Sequence, residues 1–373
     1  MTSSTETSAG TDKGTAIKAQ YKKFTGRKIM FILFSLFLIF ITAGIAAAIG
    51  TYPIPITDVY SIIWHCLFQN PETTEEIVVW NLRMPRILMA IFAGMGLAIA
   101  GTMMQAILRN PLASPFTLGI ASSAAFGAVI AICLGTGIVT GAYLIIGNAF
   151  VFALIPAFVI IGLTRYKRAT PETMILAGIA MMYIFTALAQ LINYFAESDA
   201  VREAYFWMVG SLSRASWDEL VVHVTLGDTT IPLPGPVPTV FIICVIPLIW
   251  KSWDLNVMGV GDERAKSLGV NVERTRIFIL ITSSLLTAGI VCFTGTIGFV
   301  GLVVPHICRM IIGGDNRFLI PAAGLFGGAF LLICDIVART IIAPVILPVG
   351  IVTAMIGGPF LFFLLIKRRK EYW

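Results

Sequence analysis

Charge is scarce in this sequence. Asp, Glu, Lys and Arg make up 12% of its 373 residues, against 57% apolar residues. A soluble globular domain carries about 25% charged residues. No soluble fold of this length hides so much apolar surface, so lipid must solvate most of the chain. Histidine is scarcer still, at three. His65, His223 and His306 lie too far apart in sequence to suggest a histidine-based metal site. The cysteines are Cys66, Cys133, Cys244, Cys292, Cys308 and Cys334. None has CxxC spacing and most fall inside apolar runs, so they read as small core residues rather than disulfides or ligands. A phosphate-binding loop is missing as well. There is no GxxxxGK[ST], and no glycine is directly followed by lysine. If nucleotide powers this protein, another chain binds it. No cofactor of its own is expected.

The charges that are present sit at the two ends and in short interruptions between apolar runs. The net charge of +6 therefore follows the positive-inside pattern of a membrane protein and not the single basic face of a nucleic-acid binder. Residues 1–28 are rich in Ser, Thr, Lys and Gly and read as a disordered cytoplasmic tail. The run from Ile29 to Gly50 is long enough to span, so it reads as an uncleaved first helix and not a signal peptide. The membrane domain is expected over 29–367, with a second short cytoplasmic tail at 368–373.

Charge-free gaps count the spans. Met30 to Thr57 holds the first and Ile87 to Leu108 the second. Asn110 to Thr164 is 55 residues without a charge, too long for one span of about 20 residues. A turn at Gly135–Gly141 divides it into spans three and four. Thr173 to Ala196 is span five, and Thr229 to Trp250 holds span six. Ile277 to Cys308 divides at Thr294–Gly295–Thr296 into spans seven and eight. Phe318 to Ala338 is span nine and Thr340 to Ile366 span ten. Both termini carry cation clusters (Lys18, Lys22, Lys23, Arg27, Lys28; Lys367, Arg368, Arg369, Lys370) and belong in the cytoplasm, which requires an even count. Arg165, Lys167 and Arg168 then fall inside. The acidic loops 51–82 and 196–228 fall outside. The expectation is an all-α, ten-helix polytopic protein of the cytoplasmic membrane.

Small residues line several spans at helical spacing: Ala90, Gly94, Ala98 and Gly101; Gly324 and Gly328; Gly350, Ala354 and Gly358. Close helix packing in lipid accounts for them without chemistry. Polar residues within spans are costlier and invite a functional explanation. They are Gln105, Gln190, Asn193 and the pair Asp335 and Arg339, four apart. That pair reads equally well as a local salt bridge and as an arginine turned outward to a partner. The one long cytoplasmic connection, 251–276, mixes both signs. Within it Asp262 to Gly269 predicts a short helix stopped by glycine, of the kind an ATPase subunit needs to grip.

Four long segments resemble, in order, the FecCD family of permeases from ABC importers of ferric siderophores, haem and vitamin B12. They are LRMPRILMAIFAGMGLAIAGTMMQAILRNPLASPFTLG (82–119), GDERAKSLGVNVERTR (261–276), GTIGFVGLVVPHICRMIIGGDNRFLIPAA (295–323) and DIVART…LPVGIVTAMIGGPFLFFLL (335–365). The resemblance implies ten spans of the vitamin B12 importer type and pairing with a second permease, identical or homologous. Two ATP-binding subunits would dock on a coupling helix, here Asp262, Glu263, Ala265, Lys266, Ser267, Leu268 and Gly269. A substrate-binding protein would dock outside on Arg83, Arg86 and Arg339, with Asp335 in support. Arg83 and Arg86 also read as simple interfacial anchors of span two. Gln105, Arg109, Asn110, Pro111, Pro305 and His306, with Gln190, Asn193 and Asp335, are the motif and pathway candidates.

One piece departs from the family pattern. Residues 221–239 are polar and proline-rich where relatives enter the sixth helix sooner, and they read as an external insertion. The substrate expected is a ferric siderophore, with haem or cobalamin as alternatives. Iron would be held by the chelate and not by this chain. An ion-coupled secondary transporter fits less well, because only Asp335 is ionisable within a span and it lies near a membrane face.

Overall fold

A computed structural model describes the backbone of residues 5–50, 52–166, 170–226 and 229–367. The side chains of Lys18, Lys22, Lys23, Arg165, Lys167, Arg168 and the 367–370 cluster, used above to set orientation, lie outside the described residues, as does the tail 368–373.

Helix α1 runs Thr5–Ala48. A helical backbone therefore passes through residues 5–28, where composition suggests disorder. The stretch contains no proline and carries five lysines and three alanines, which favour helix. Then come α2 (Ile56–Cys66), α3 (Thr74–Ile77), a single π-helical turn (Val78–Arg83) and α4 (Met84–Leu108). Helices α5 (Ile120–Leu134), α6 (Leu144–Tyr166), α7 (Pro171–Phe195) and α8 (Ser198–Val209) follow. A hairpin of β1 (Val221–Leu226) and β2 (Thr229–Pro234) precedes α9 (Pro236–Trp250). The rest is helical: α10 (Ser252–Met258), α11 (Asp262–Ser267), α12 (Val272–Thr294), α13 (Val300–Ile312), α14 (Asn316–Thr340) and α15 (Val349–Lys367).

Six of these segments are long and apolar enough to cross a membrane. One bent pair, α9 and α10 at 46°, and three shorter apolar helices, α5, α13 and part of α15, join them. Among the described residues these apolar segments follow the order of the charge-free runs.

Two boundaries differ from the sequence expectation. The sixth apolar helix begins at Pro236 and not at Thr229. Residues 229–234 instead pair antiparallel with 221–226, Val221 opposite Pro234 and Leu226 opposite Thr229. The insertion is thus a hairpin, and its two prolines at 232 and 234 would each have removed a helical hydrogen bond. The tenth begins at Val349 and not at Thr340, since Pro344 and Pro348 interrupt the uncharged run.

The predicted division at 294–296 is present. The chain leaves α12 through Gly295 (φ +69°) and re-enters helix after Phe299 (φ +67°). Unpaired backbone is costly in lipid, and the segment Trp207–Leu212 packs against this break and pairs with part of it. Ser211 N–H donates to the Thr294 carbonyl at 2.8 Å, and the Thr296 hydroxyl donates to the Met208 carbonyl.

Helix α4 lies at the centre, against α1, α12, α13 and α14. Its apolar window is 78% buried, against 17% for α7 at the perimeter. Glycines permit the approach. A Cβ at Gly101 would stand 1.8 Å from the Gly301 carbonyl oxygen, and one at Gly94 would stand 2.3 Å from that of Gly327. The small-residue stripe is therefore packing, as its spacing suggests.

Candidate functional site

The docking candidates Arg83, Arg86 and Arg339 come together, but they face inward. The three arginines sit where the N-terminal end of α4 meets the C-terminal ends of α1 and α14. Arg83, on the π-helical turn, is buried. It donates to the carbonyls of Ala47, Ala48 and Tyr52. The last carbonyls of α1 have no helical partners and carry the negative end of its dipole, so a guanidinium is the matching cap. Arg86 reaches across to α14 and binds Asp335, Nε to Oδ1 at 3.0 Å and Nη2 to Oδ1 at 2.8 Å. Arg339 stands one turn on, with Nε 3.0 Å from Asp335 Oδ2 and Nη1 donating to the Ala46 carbonyl at 3.1 Å. Asp335 is fully buried between the two guanidinium groups. In this geometry the side chains knit three helices together, and of the two readings of Arg339 the local salt bridge to Asp335 is the one present. The cations exposed beyond them are Arg202 on α8 and Arg214. They line a cavity of about 440 Å³ with Asp199, Glu203 and Phe206. Trp217 Nε1 donates to the Trp80 carbonyl at 2.9 Å, which places this region beside the π-helical turn.

The opposite end carries the coupling candidates. Helix α11 forms where expected, with Gly269 at φ +88° ending it. Glu263, Arg264, Lys266, Ser267, Leu268 and Gly269 are exposed, while Ala265 is buried. Leu268 is 69% exposed, a large apolar side chain presented away from the fold. Asp262 does not share that face. Its carboxylate binds Arg109 at the end of α4 and Arg276 on α12.

The remaining candidates separate into packing and pathway. Asn110 Oδ1 accepts from Leu112 N–H at 2.9 Å and so shapes the turn that carries Pro111. Gln105 is fully buried, with Nε2 donating to the Leu302 carbonyl at 3.3 Å. It joins α4 to α13. Pro305 lies buried inside α13, and the His306 ring meets Phe360 edge-on at 6.2 Å. Gln190 is exposed on α7, and Asn193 Oδ1 accepts from Cys133 Sγ at 3.5 Å. The exposed face of α7 carries Leu176, Tyr183, Ile184, Leu188, Leu191 and Tyr194.

One hub escapes the sequence. Asp315 caps α14 by accepting from the backbone N–H of Arg317. It also binds the Arg317 guanidinium at 2.7 Å, Asn256 Nδ2 of α10 at 2.8 Å and Lys28 Nζ of α1 at 3.1 Å. The Arg317 guanidinium above all, then Asn256 and Lys28, hold its carboxyl well below the ordinary range. The only local sign was an Asp before a helical run. Its partners at 28 and 256 are distant in sequence.

Many apolar helices long enough to cross a membrane, with an exposed charged helix at one end, define the class: a polytopic membrane protein. Comparison with known proteins identifies the family. The FecCD transport family pattern matches residues 36–367. The ABC transporter permease protein MJ0087 of Methanocaldococcus jannaschii is 44% identical over 95% of this chain and 99% of its own length. The hemin transport system permease protein HmuU of Yersinia pestis is 37% identical over 79% of this chain and 84% of its own. A solved inward-facing metal-chelate-type ABC transporter superposes with a TM-score of 0.76 at 28% identity, covering 90% of this chain and 98% of that one. The chain belongs to the FecCD transport family, the permeases of ABC importers.

Proposed function

We propose that this permease carries a ferric siderophore across the cytoplasmic membrane, with both termini on the cytoplasmic side. The observation that carries the reading is the exposed face of α7, which includes Gln190 and has no acid or base between Thr173 and Ala196. A bulky hydrophilic chelate needs a wide pathway that holds it weakly. Likeness to the metal-chelate-type transporter supports the same substrate class. Relatives named for hemin, cobalamin and molybdate import keep those cargoes as arms of the test.

The assembly in this proposal has two permeases, identical or homologous, facing each other across the α7 surfaces. Two ATP-binding subunits grip the exposed face of α11, and ATP is bound there and not by this chain. A substrate-binding protein docks at the outer end. In that seat Arg83, Arg86 and Arg339 set the positions of the helix ends, while Arg202 and Arg214 present charge to its carboxylates. Nucleotide binding and hydrolysis move α11 and open the pathway to one side at a time.

The test is uptake by a deletion strain complemented with this chain, across labelled ferric catecholate, ferric hydroxamate, haemin, cyanocobalamin and molybdate. ATP-dependent accumulation of a ferric siderophore is the expected outcome. Accumulation of only haemin, cobalamin or molybdate reassigns the cargo. Uptake that persists without the ATP-binding subunit sinks the mechanism.

A further inference from the structure

Given that α11 is where the ATP-binding subunit grips, we infer that Asp262 is a positioning residue that ties this helix to the membrane core and passes its motion to α4 and α12. Asp262 is the first residue of α11, reached through Gly261 at φ +119°. Its carboxylate takes two guanidinium groups from two different helices. Arg276 Nη2 of α12 lies 3.2 Å from both Oδ1 and Oδ2, and Arg109 Nη2 binds Oδ1. Each arginine is then tied to a further element. Arg109 Nη2 donates to the Met258 carbonyl at the end of α10 at 2.6 Å. Arg276 Nε donates to the Ile107 carbonyl in the last turn of α4 at 3.2 Å. One carboxylate thus joins the ends of α4 and α10 to α12 and α11.

Apolar packing does not hold α11 in place. Ala265 is the one side chain in it that is buried, and a methyl group offers little contact area. Glu263, Arg264, Lys266 and Ser267 are exposed, where the ATP-binding subunit is expected. The charge cluster is therefore the main rigid connection between the gripped surface and the spans. Arg109 supports this geometry. It adopts φ +46°, a left-handed conformation uncommon for a residue with a side chain, and it ends α4 with its guanidinium on Asp262. Force on the exposed face of α11 reaches α4 and α12 through two charge-assisted contacts, which have defined length and direction.

The experiment uses the complete complex of permease, ATP-binding subunit and binding protein in liposomes, with haemin and a labelled ferric catecholate as uptake probes. A second readout needs no substrate: the nucleotide-induced change in hydrogen exchange at residues 105–113. Asp262→Asn is expected to keep the ATP-binding subunit bound and to lose the exchange response at 105–113. Uptake per ATP hydrolysed should fall about tenfold, within the usual range of coupling between sites. Asp262→Glu, which retains the charge, should restore at least half of both. Leu268→Asp on the outer face should instead release the ATP-binding subunit. An unchanged exchange response in Asp262→Asn overturns the inference, as does loss of the ATP-binding subunit from that variant. Retention of the subunit by Leu268→Asp overturns the docking reading and leaves the exchange result standing on its own. If Asp262→Asn does not fold, Arg109→Ala carries the test, since that side chain is 34% exposed. It too must lose the exchange response.

Discussion

Arg86 of α4 and Asp335 of α14 form a two-pronged ion pair at 2.8 and 3.0 Å, 249 residues apart in sequence and buried at the junction of three helices. Asp335 answers Arg339 as well, so one carboxylate stands between two guanidinium groups. Asp335→Asn leaves both cations without their counter-charge in a buried setting. The expected loss is about 3–5 kcal/mol, typical of breaking a buried pair by removing one partner. Denaturant unfolding in detergent measures it, and a loss below about 1 kcal/mol would show that the pair is structurally idle.

The outer arginines should divide into two phenotypes. Arg202→Glu with Arg214→Glu is expected to fold normally and to slow association with the binding protein about tenfold at low salt, the lower end of electrostatic steering. The difference should shrink as ionic strength rises. Arg83→Glu with Arg86→Glu should lower the yield of folded permease, because both side chains are committed to internal partners. Stopped-flow association and detergent size-exclusion profiles separate these outcomes. A well-folded Arg83/Arg86 variant defective only in docking would return those residues to the rim.

Gly101 faces the Gly301 carbonyl with no room for a methyl group. Gly101→Ala must push α4 and α13 apart, at a cost of about 1–3 kcal/mol by analogy with overpacked cores. Gly162, around which a Cβ meets nothing within 4 Å, is the control, and Gly162→Ala should cost far less. Equal thermal midpoints for the two variants would contradict the central placement of α4.

Acid should weaken the hub at Asp315. Its folded carboxyl is held below the ordinary value of 3.8, so ionisation stabilises the native state above that pH. The contribution fades as pH falls below about 4 and continues to fade through the depressed folded value. Wild type should therefore exceed Asp315→Asn in thermal midpoint at neutral pH, and the gap should narrow on acidification. A gap that stays constant down to the lowest tolerated pH would remove Asp315 from the account.

Much of the architecture was legible because each apolar segment announces itself locally. The lack of charge from Asn110 to Thr164 and the turn at Thr294–Thr296 mark real breaks in the helices. Direction within a span was not legible. Charge counting places Arg83 at an outer end, but whether the guanidinium points to water or to the carbonyls of Ala47 and Tyr52 depends on where α1 ends in space. The hairpin was hidden for a similar reason. Residues 229–234 are as free of charge as a span, and only pairing with 221–226 identifies them as a strand. Asp315 and Asp262 look alike in sequence, each an acid before a short polar helix start. Their difference lies in partners contributed by α1, α10, α4 and α12.

The burial of α4 on nearly every side gives it a mechanical character. Its 25 residues make a rod about 37 Å long at 1.5 Å per residue. Neighbours on all flanks oppose bending, so the rod can tilt but hardly flex. A tilt of about 5° over that length separates its two ends by about 3 Å of lateral travel. Arg109 sits at one end of this lever and Arg86 at the other. A push delivered at the Arg109 tip would then reappear, reversed in sense, at the Arg86 end.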